Sequence, residues 1–308
     1  MQRRRSIAIT VACLGTLVSA PSFANGTVFI RKSGGALEIR SVPAGTVVLT
    51  FDDGPSEYTA RVLEILRENS VPATFFVVGE CAVERPGMLS AILRDGHELG
   101  NHTYHHPRLD TVSRRVMARE VALTQAAITG QTGRATRLFR PPYIHTGPPD
   151  SATMIVVDAL TRKGFVVVGE DFDPGDWARP GADVIVQRST GPEGGIVLLH
   201  DGGGDRSQTV KALPGIIAWY RARGMRFATI GAALGLERLE VMPRPSISDR
   251  LSAGLLQARL ASAKWTSRYV SLKRVAAALV LLAIGGLLGF RWGARRTLGD
   301  QRSGGSRP

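Results

Sequence analysis

The sequence predicts an α/β fold built on a mostly parallel sheet, and three observations predict it. Between Thr46 and Gly231, short β-branched or aromatic runs alternate with longer helical stretches, joined by Gly, Pro or Asp clusters. The candidate strands carry almost no polar alternation, which fits burial on both faces. The polar residues of chemical interest come directly after strand ends, where the active sites of parallel α/β folds collect. Both a barrel-like closure and an open doubly wound sheet satisfy this periodicity.

Taken in order, the chain begins with three arginines, the apolar run Ile7 to Ala20, and small residues at Ser22 and Ala24 that suit a signal peptidase. Residues 1–24 are therefore expected to be a cleaved export signal. Residues 25–45 contain an expected β-hairpin, Thr27 to Val42, turning at Ser33-Gly34-Gly35. The body, 46–240, opens with the strand Thr46 to Phe51 (TVVLTF) and the helix Thr59 to Asn69. A second strand, Ala73 to Val78 (ATFFVV), precedes a helix at Gly87 to Asp95, and the longest helical stretch runs from Thr111 to Thr129. There follow a short strand at Arg137 to Phe139, a helix at Ser151 to Lys163 and a strand at Phe165 to Val168. The body closes with a strand at Gly195 to Leu199, a helix at Gln208 to Arg223 and a last strand at Arg226 to Ile230.

Beyond the body, residues 241–274 are expected to form a linker (Val241 to Ser248) and a basic amphipathic helix, with Leu251, Leu255, Leu256, Leu260 and Trp265 at helical spacing. Val275 to Phe290 carries no charge; as a helix it would span about 24 Å, against roughly 30 Å for a hydrocarbon core. Lys273, Arg274 and Arg291 can snorkel and Trp292 suits a headgroup position, so 275–292 is expected to be a transmembrane anchor, in preference to a helix lying on the surface or docked on the domain, with 293–308 a basic tail. These segments place the body at the extracytoplasmic face of a membrane.

The net charge of +13 would suit a nucleic-acid binder were it spread over the body. It is not. Arg3 to Arg5 supply three positive charges, residues 244–308 hold 12 basic against 2 acidic side chains, and residues 6–240 hold 24 of each. An electroneutral body lacks the footprint that phosphate binding requires. Of the two cysteines, Cys13 leaves with the signal, and Cys81 alone makes neither a disulfide nor a structural zinc knot.

The residues that carry chemistry are individually ambiguous. Asp52-Asp53 at a strand end could serve a turn or helix cap, and His102 and His106 could pack or cap. Together, Asp53, His102 and His106 make a two-histidine, one-carboxylate set that suits a divalent ion and leaves positions open for water and substrate. Hydrolysis also needs a carboxylate to take the proton of water and an imidazolium to protonate the leaving group; Asp52 and His200 are candidates.

Five segments in order give these residues a specific resemblance: Thr50-Phe51-Asp52-Asp53-Gly54, His102-Thr103-Tyr104-His105-His106, Arg140-Pro141-Pro142-Tyr143, Asp173-Pro174-Gly175-Asp176-Trp177 and Leu198-Leu199-His200. Over roughly Thr46 to Leu236 the chain resembles the NodB-type polysaccharide deacetylases, carbohydrate esterase family four. The resemblance implies a distorted, incomplete (β/α) barrel. It implies Asp53, His102 and His106 as metal ligands, Asp52 as general base and His200 as general acid. It further implies that Arg140 orients Asp52, that Asp176 keeps His200 protonated, and that Trp177 and Leu198 wall the acetyl pocket. The Tyr143 backbone N–H would be an oxyanion donor. The family's arginine motif usually continues with glycine, whereas Ile144-His145-Thr146-Gly147 follows here. His97 and His105 fall outside the motif positions and are expected to be structural, and His145, on a Pro-rich loop, is expected to be a surface residue.

The activity so implied is hydrolysis of N-acetyl groups on an amino-sugar polymer such as chitin, peptidoglycan or poly-N-acetylglucosamine, releasing acetate. The metal would be zinc by availability, with cobalt, nickel and manganese also admitted by nitrogen and carboxylate ligands. An O-acetyl esterase and a silent, membrane-tethered glycan-binding protein are the alternatives; retention of acid, base and three ligands argues against silence.

Overall fold

The protein is described by a computed structural model covering residues 28–31, 35–143 and 150–259. The expected hairpin forms from β1 (Val28–Arg31) and β2 (Leu37–Arg40), paired antiparallel. The run TVVLTF becomes β3 (Thr46–Asp52), with all seven residues buried, followed by α1 (Thr59–Glu68), which buries Val62, Leu63, Ile65 and Leu66 on one face. β4 (Ala73–Val77) is also wholly buried; α2 (Gly79–Glu84), α3 (Met88–Arg94) and β5 (Glu98–Asn101) come next. The longest helix is α4 (Arg114–Thr132), capped by the Ser113 hydroxyl at one end and by Gly133, at φ 65°, at the other. Then come β6 (Leu138–Phe139), α5 (Ser151–Thr161), β7 (Val166–Val168), α6 (Ala182–Arg188) and β8 (Gly194–His200). The body ends with α7 (Ser207–Arg221), β9 (Arg226–Phe227), α8 (Ile230–Ala233) and α9 (Arg238–Val241), and residues 247–259 form α10.

The sheet order is β2-β1-β7-β6-β5-β4-β3-β8, with β9 added beside β3, and every pairing from β7 to β8 is parallel. The sheet curls far enough for the chain leaving β7 to reach the opposite edge strand, where Phe172 bridges Val197 of β8. The curl decides between the two architectures left open by periodicity: this is a distorted, incomplete parallel α/β barrel. It also gathers the C-terminal ends of β3, β4, β5, β6 and β8 around one mouth.

Sequence and structure differ where local pattern was a poor guide. β5, α2 and α6 were not expected. The last strand stops at Phe227 because the Thr229 hydroxyl caps α8, accepting from Ala232 N at 3.3 Å. Val241 and Met242, expected to open a linker, are buried in the core, and Pro243 O accepts from Ala135 N. The body therefore extends through these residues, and α10 packs on it through Ala253 and Leu256. The expected signal (1–24), the hairpin turn at Ser33-Gly34, the loop containing His145, the anchor (275–292) and the tail (293–308) lie outside the described residues. No helix among the described residues is long and apolar enough to cross a membrane.

Candidate active site

At the end of β3 the two aspartates part company. Asp52 keeps strand geometry, paired in register with Phe76 and His200, and is 3% exposed. Asp53 turns into left-handed backbone at φ 70°, as do Thr103 (67°), His106 (59°) and Tyr143 (60°). Such conformations are costly for residues with a Cβ, and their clustering around one mouth marks a functional constraint. Gly54 is required next, because a Cβ there would drive into the Asp201 carboxylate.

The turn brings Asp53 Oδ1 within 3.0 Å of His106 Nε2 and 3.5 Å of His102 Nε2, while the two Nε2 atoms lie 3.2 Å apart. His102 Nδ1 is 2.7 Å from the Arg140 carbonyl, an acceptor, so that nitrogen carries the proton and Nε2 presents a lone pair. Burial further disfavours the protonated form of His102. Although His106 Nε2 is close, buried Asp53 Oδ1 has no hydrogen-bond partner of its own. Three electron-pair donors thus converge on one point, which suits a bound cation and is otherwise repulsive.

The surroundings fix these donors. Arg140, 2% exposed, donates from Nη1 to Asp52 Oδ1 (2.9 Å) and Thr50 Oγ1 (2.8 Å), and from Nη2 to Gly169 O (2.8 Å). Its guanidinium lies over the Phe76 ring at 4.4 Å. Asn101 Oδ1 accepts from Thr103 N, and Glu120 on α4 accepts from Tyr104 N (3.0 Å), His105 N (2.7 Å) and the His105 ring (2.9 Å). Glu120 was not anticipated, since it reads as one more charge on a long helix. Its replacement in Glu120→Ala is expected to weaken metal affinity about 10- to 100-fold by freeing the histidine loop, as loss of supporting partners typically does; a zinc titration checks this.

Across the mouth, His200 Nδ1 is 2.7 Å from Asp176 Oδ1, and Asp176 Oδ2 accepts from His200 N (2.9 Å) and Thr209 Oγ1 (2.7 Å). Burial opposes the charge on His200, but the Asp176 contact, with help from Asp52 and Asp53, outweighs it and raises the imidazole to about 9. Asp201, the next residue, is buried against the Thr59 hydroxyl at 2.5 Å. Desolvation and the charges of Asp53 and Asp52 push it up to about 7. It too escaped sequence reading.

Asp52, Asp53, His102, His106, Arg140, Tyr143, Trp177, Leu198 and His200 line one cavity of about 560 Å³. Leu198 is a buried wall; Trp177 and Tyr143 stand at the rim, each more than half exposed. Asp176 sits behind His200. All ten sequence-predicted positions are therefore brought together. His97 lies outside the cavity, buried with Nδ1 accepting from Ala73 N and lowered by burial to about 4; His105 lines the cavity but turns its ring to Glu120.

The family model described as polysaccharide deacetylase matches residues 40–156. A peptidoglycan-N-acetylglucosamine deacetylase of Bacillus cereus is 36% identical over 195 residues, covering 61% of this chain and 87% of its own length. A chitooligosaccharide deacetylase of Sinorhizobium fredii is 38% identical over 206 residues, covering 60% of this chain and 93% of its own. Among solved structures, a family 4 carbohydrate esterase from Streptomyces lividans in complex with acetate superposes with a TM-score of 0.53 at 35% identity, covering 60% of this chain and 93% of that one. With the fold, the five ordered segments and these relatives in agreement, the chain belongs to the NodB-type polysaccharide deacetylases of carbohydrate esterase family four and is a polysaccharide deacetylase.

Proposed function

We propose that this is an exported, metal-dependent N-deacetylase of an amino-sugar polymer, tethered to the membrane by residues 275–292. The convergence of Asp53, His102 and His106 between a buried carboxylate and an imidazolium carries the reading. The cell-wall and chitooligosaccharide substrates named for the relatives, and the acetate held by the Streptomyces esterase, support it.

Asp53, His102 and His106 would hold a divalent ion, zinc by availability, which when bound supplies Lewis acidity to the acetyl carbonyl and lowers the pKa of water. Asp52 Oδ1 is held by Arg140, leaving Oδ2, 3.7 Å from His102 Nε2, to accept the proton of the attacking water. The backbone N–H of Tyr143 is assigned to the carbonyl oxygen as charge develops. Leu198 and Trp177 enclose the acetyl methyl and fix its approach. His200, held by Asp176 through Nδ1, gives its Nε2 proton to the sugar nitrogen as the C–N bond breaks, so acetate and a free amine are released.

This division predicts the alkaline limb of the pH profile. A raised pKa keeps His200 protonated below about 9, so activity should fall as pH rises through that value. Asp176→Asn removes the charge that raises it and should move the limb toward lower pH. An unmoved limb would assign it to another group. Acetate release from a panel of N- and O-acetylated glycans tests the proposed chemistry, and release confined to O-acetyl esters would replace it with esterase activity.

A further inference from the structure

The last described helix has two unlike faces. α10 begins at a reciprocal cap, with Ser246 Oγ accepting from Asp249 N and the Asp249 carboxylate from Ser246 N. Its inner face carries Ala253, Leu256 and Gln257, and Gln257 Nε2 donates to Gly130 O in the last turn of α4 at 3.1 Å. Ile247, Leu251 and Leu255, four residues apart, are 78%, 65% and 65% exposed. At about 100° per residue they form one stripe opposite Ala253, with Arg250 on one flank and Arg259 on the other. A cleft beside this helix, of about 620 Å³, is lined by Arg137, Lys163 and Arg244 against the single carboxylate of Asp249.

We propose that this stripe lies in the interfacial layer of an anionic bilayer, with Arg250 and the basic cleft meeting lipid phosphates. An exposed apolar stripe edged by arginine is the pattern of a helix lying in the interfacial plane of a membrane, and anionic headgroups satisfy both parts of it. A second copy of the chain would bring arginine flanks together and repel. The sequence that follows, residues 260–308, adds nine basic residues against one acidic around the uncharged run Val275–Phe290, which keeps this end of the domain near lipid. The inference rests on the tether reading in that respect.

The test uses the full chain with Cys13 and Cys81 replaced by alanine and an environment-sensitive fluorophore on Leu251→Cys, Leu255→Cys or, in the loop after β3, Glu57→Cys. Each variant is checked for acetate release and floated with phosphatidylglycerol-containing or pure phosphatidylcholine vesicles. The proposal expects a blue shift and quenching by lipid-borne quencher at 251 and 255, stronger with phosphatidylglycerol, and neither at 57. Chain that floats while labels at 251 and 255 stay aqueous would overturn the proposal and leave the tether standing. Chain that does not float overturns both. Labels already shielded before lipid is added would show that residues 260–308 or a second copy cover the stripe, which also overturns it.

Discussion

Asp52→Asn should retain a full equivalent of metal and lose turnover by about 10²–10⁴, the usual cost of removing a general base. The geometry explains why the damage stays local. Arg140 is held by Thr50, the Val168 and Gly169 carbonyls and the Phe76 ring as well as by Asp52, so it does not depend on that carboxylate for its position. An asparagine oxygen can still accept from Arg140 Nη1, which limits the penalty of leaving a buried guanidinium without its anion. Substrate affinity should change little, and added zinc should restore nothing. The measurement is metal stoichiometry beside turnover, and a loss of metal in Asp52→Asn would show that this carboxylate is a ligand.

Asp53→Asn should fail differently and further. It removes the anionic member of the three converging donors, so metal content and activity should fall together, and excess zinc should return part of the rate. His102→Ala should be more severe still, because His102 both presents Nε2 to the centre and ties it to the Arg140 carbonyl through Nδ1. Activity in these variants should track occupancy through a zinc titration. Asp53→Asn with a full equivalent of metal and merely slowed turnover would overturn the assignment of the ligands.

Much of this site was legible because its chemistry lies in short segments. The runs TVVLTF and ATFFVV announce buried strands, and the aspartates and His200 stand at strand ends. β5 was not legible, since its four residues, Glu-Leu-Gly-Asn, look like a turn. They form a buried strand because Glu98 accepts from Thr229 and Gly231, and Asn101 donates to Val121. Those partners are distant in sequence, and local pattern cannot reveal them. Glu120 and Asp201 escaped for the same reason: each acquires its role only when the histidine loop, or the loop after β3, is folded against it. The curl of the sheet was likewise invisible to periodicity, which reports burial and not closure.

Chelation tests the central claim most directly. The full chain is assayed for acetate release from N-acetylated glucosamine oligomers before and after removal of divalent ions, then with zinc added back in parallel to wild type and Asp53→Asn. The account predicts that chelation abolishes wild-type activity, that about one equivalent of zinc restores it, and that Asp53→Asn needs a large excess for partial recovery. Undiminished acetate release from metal-free wild type would contradict it.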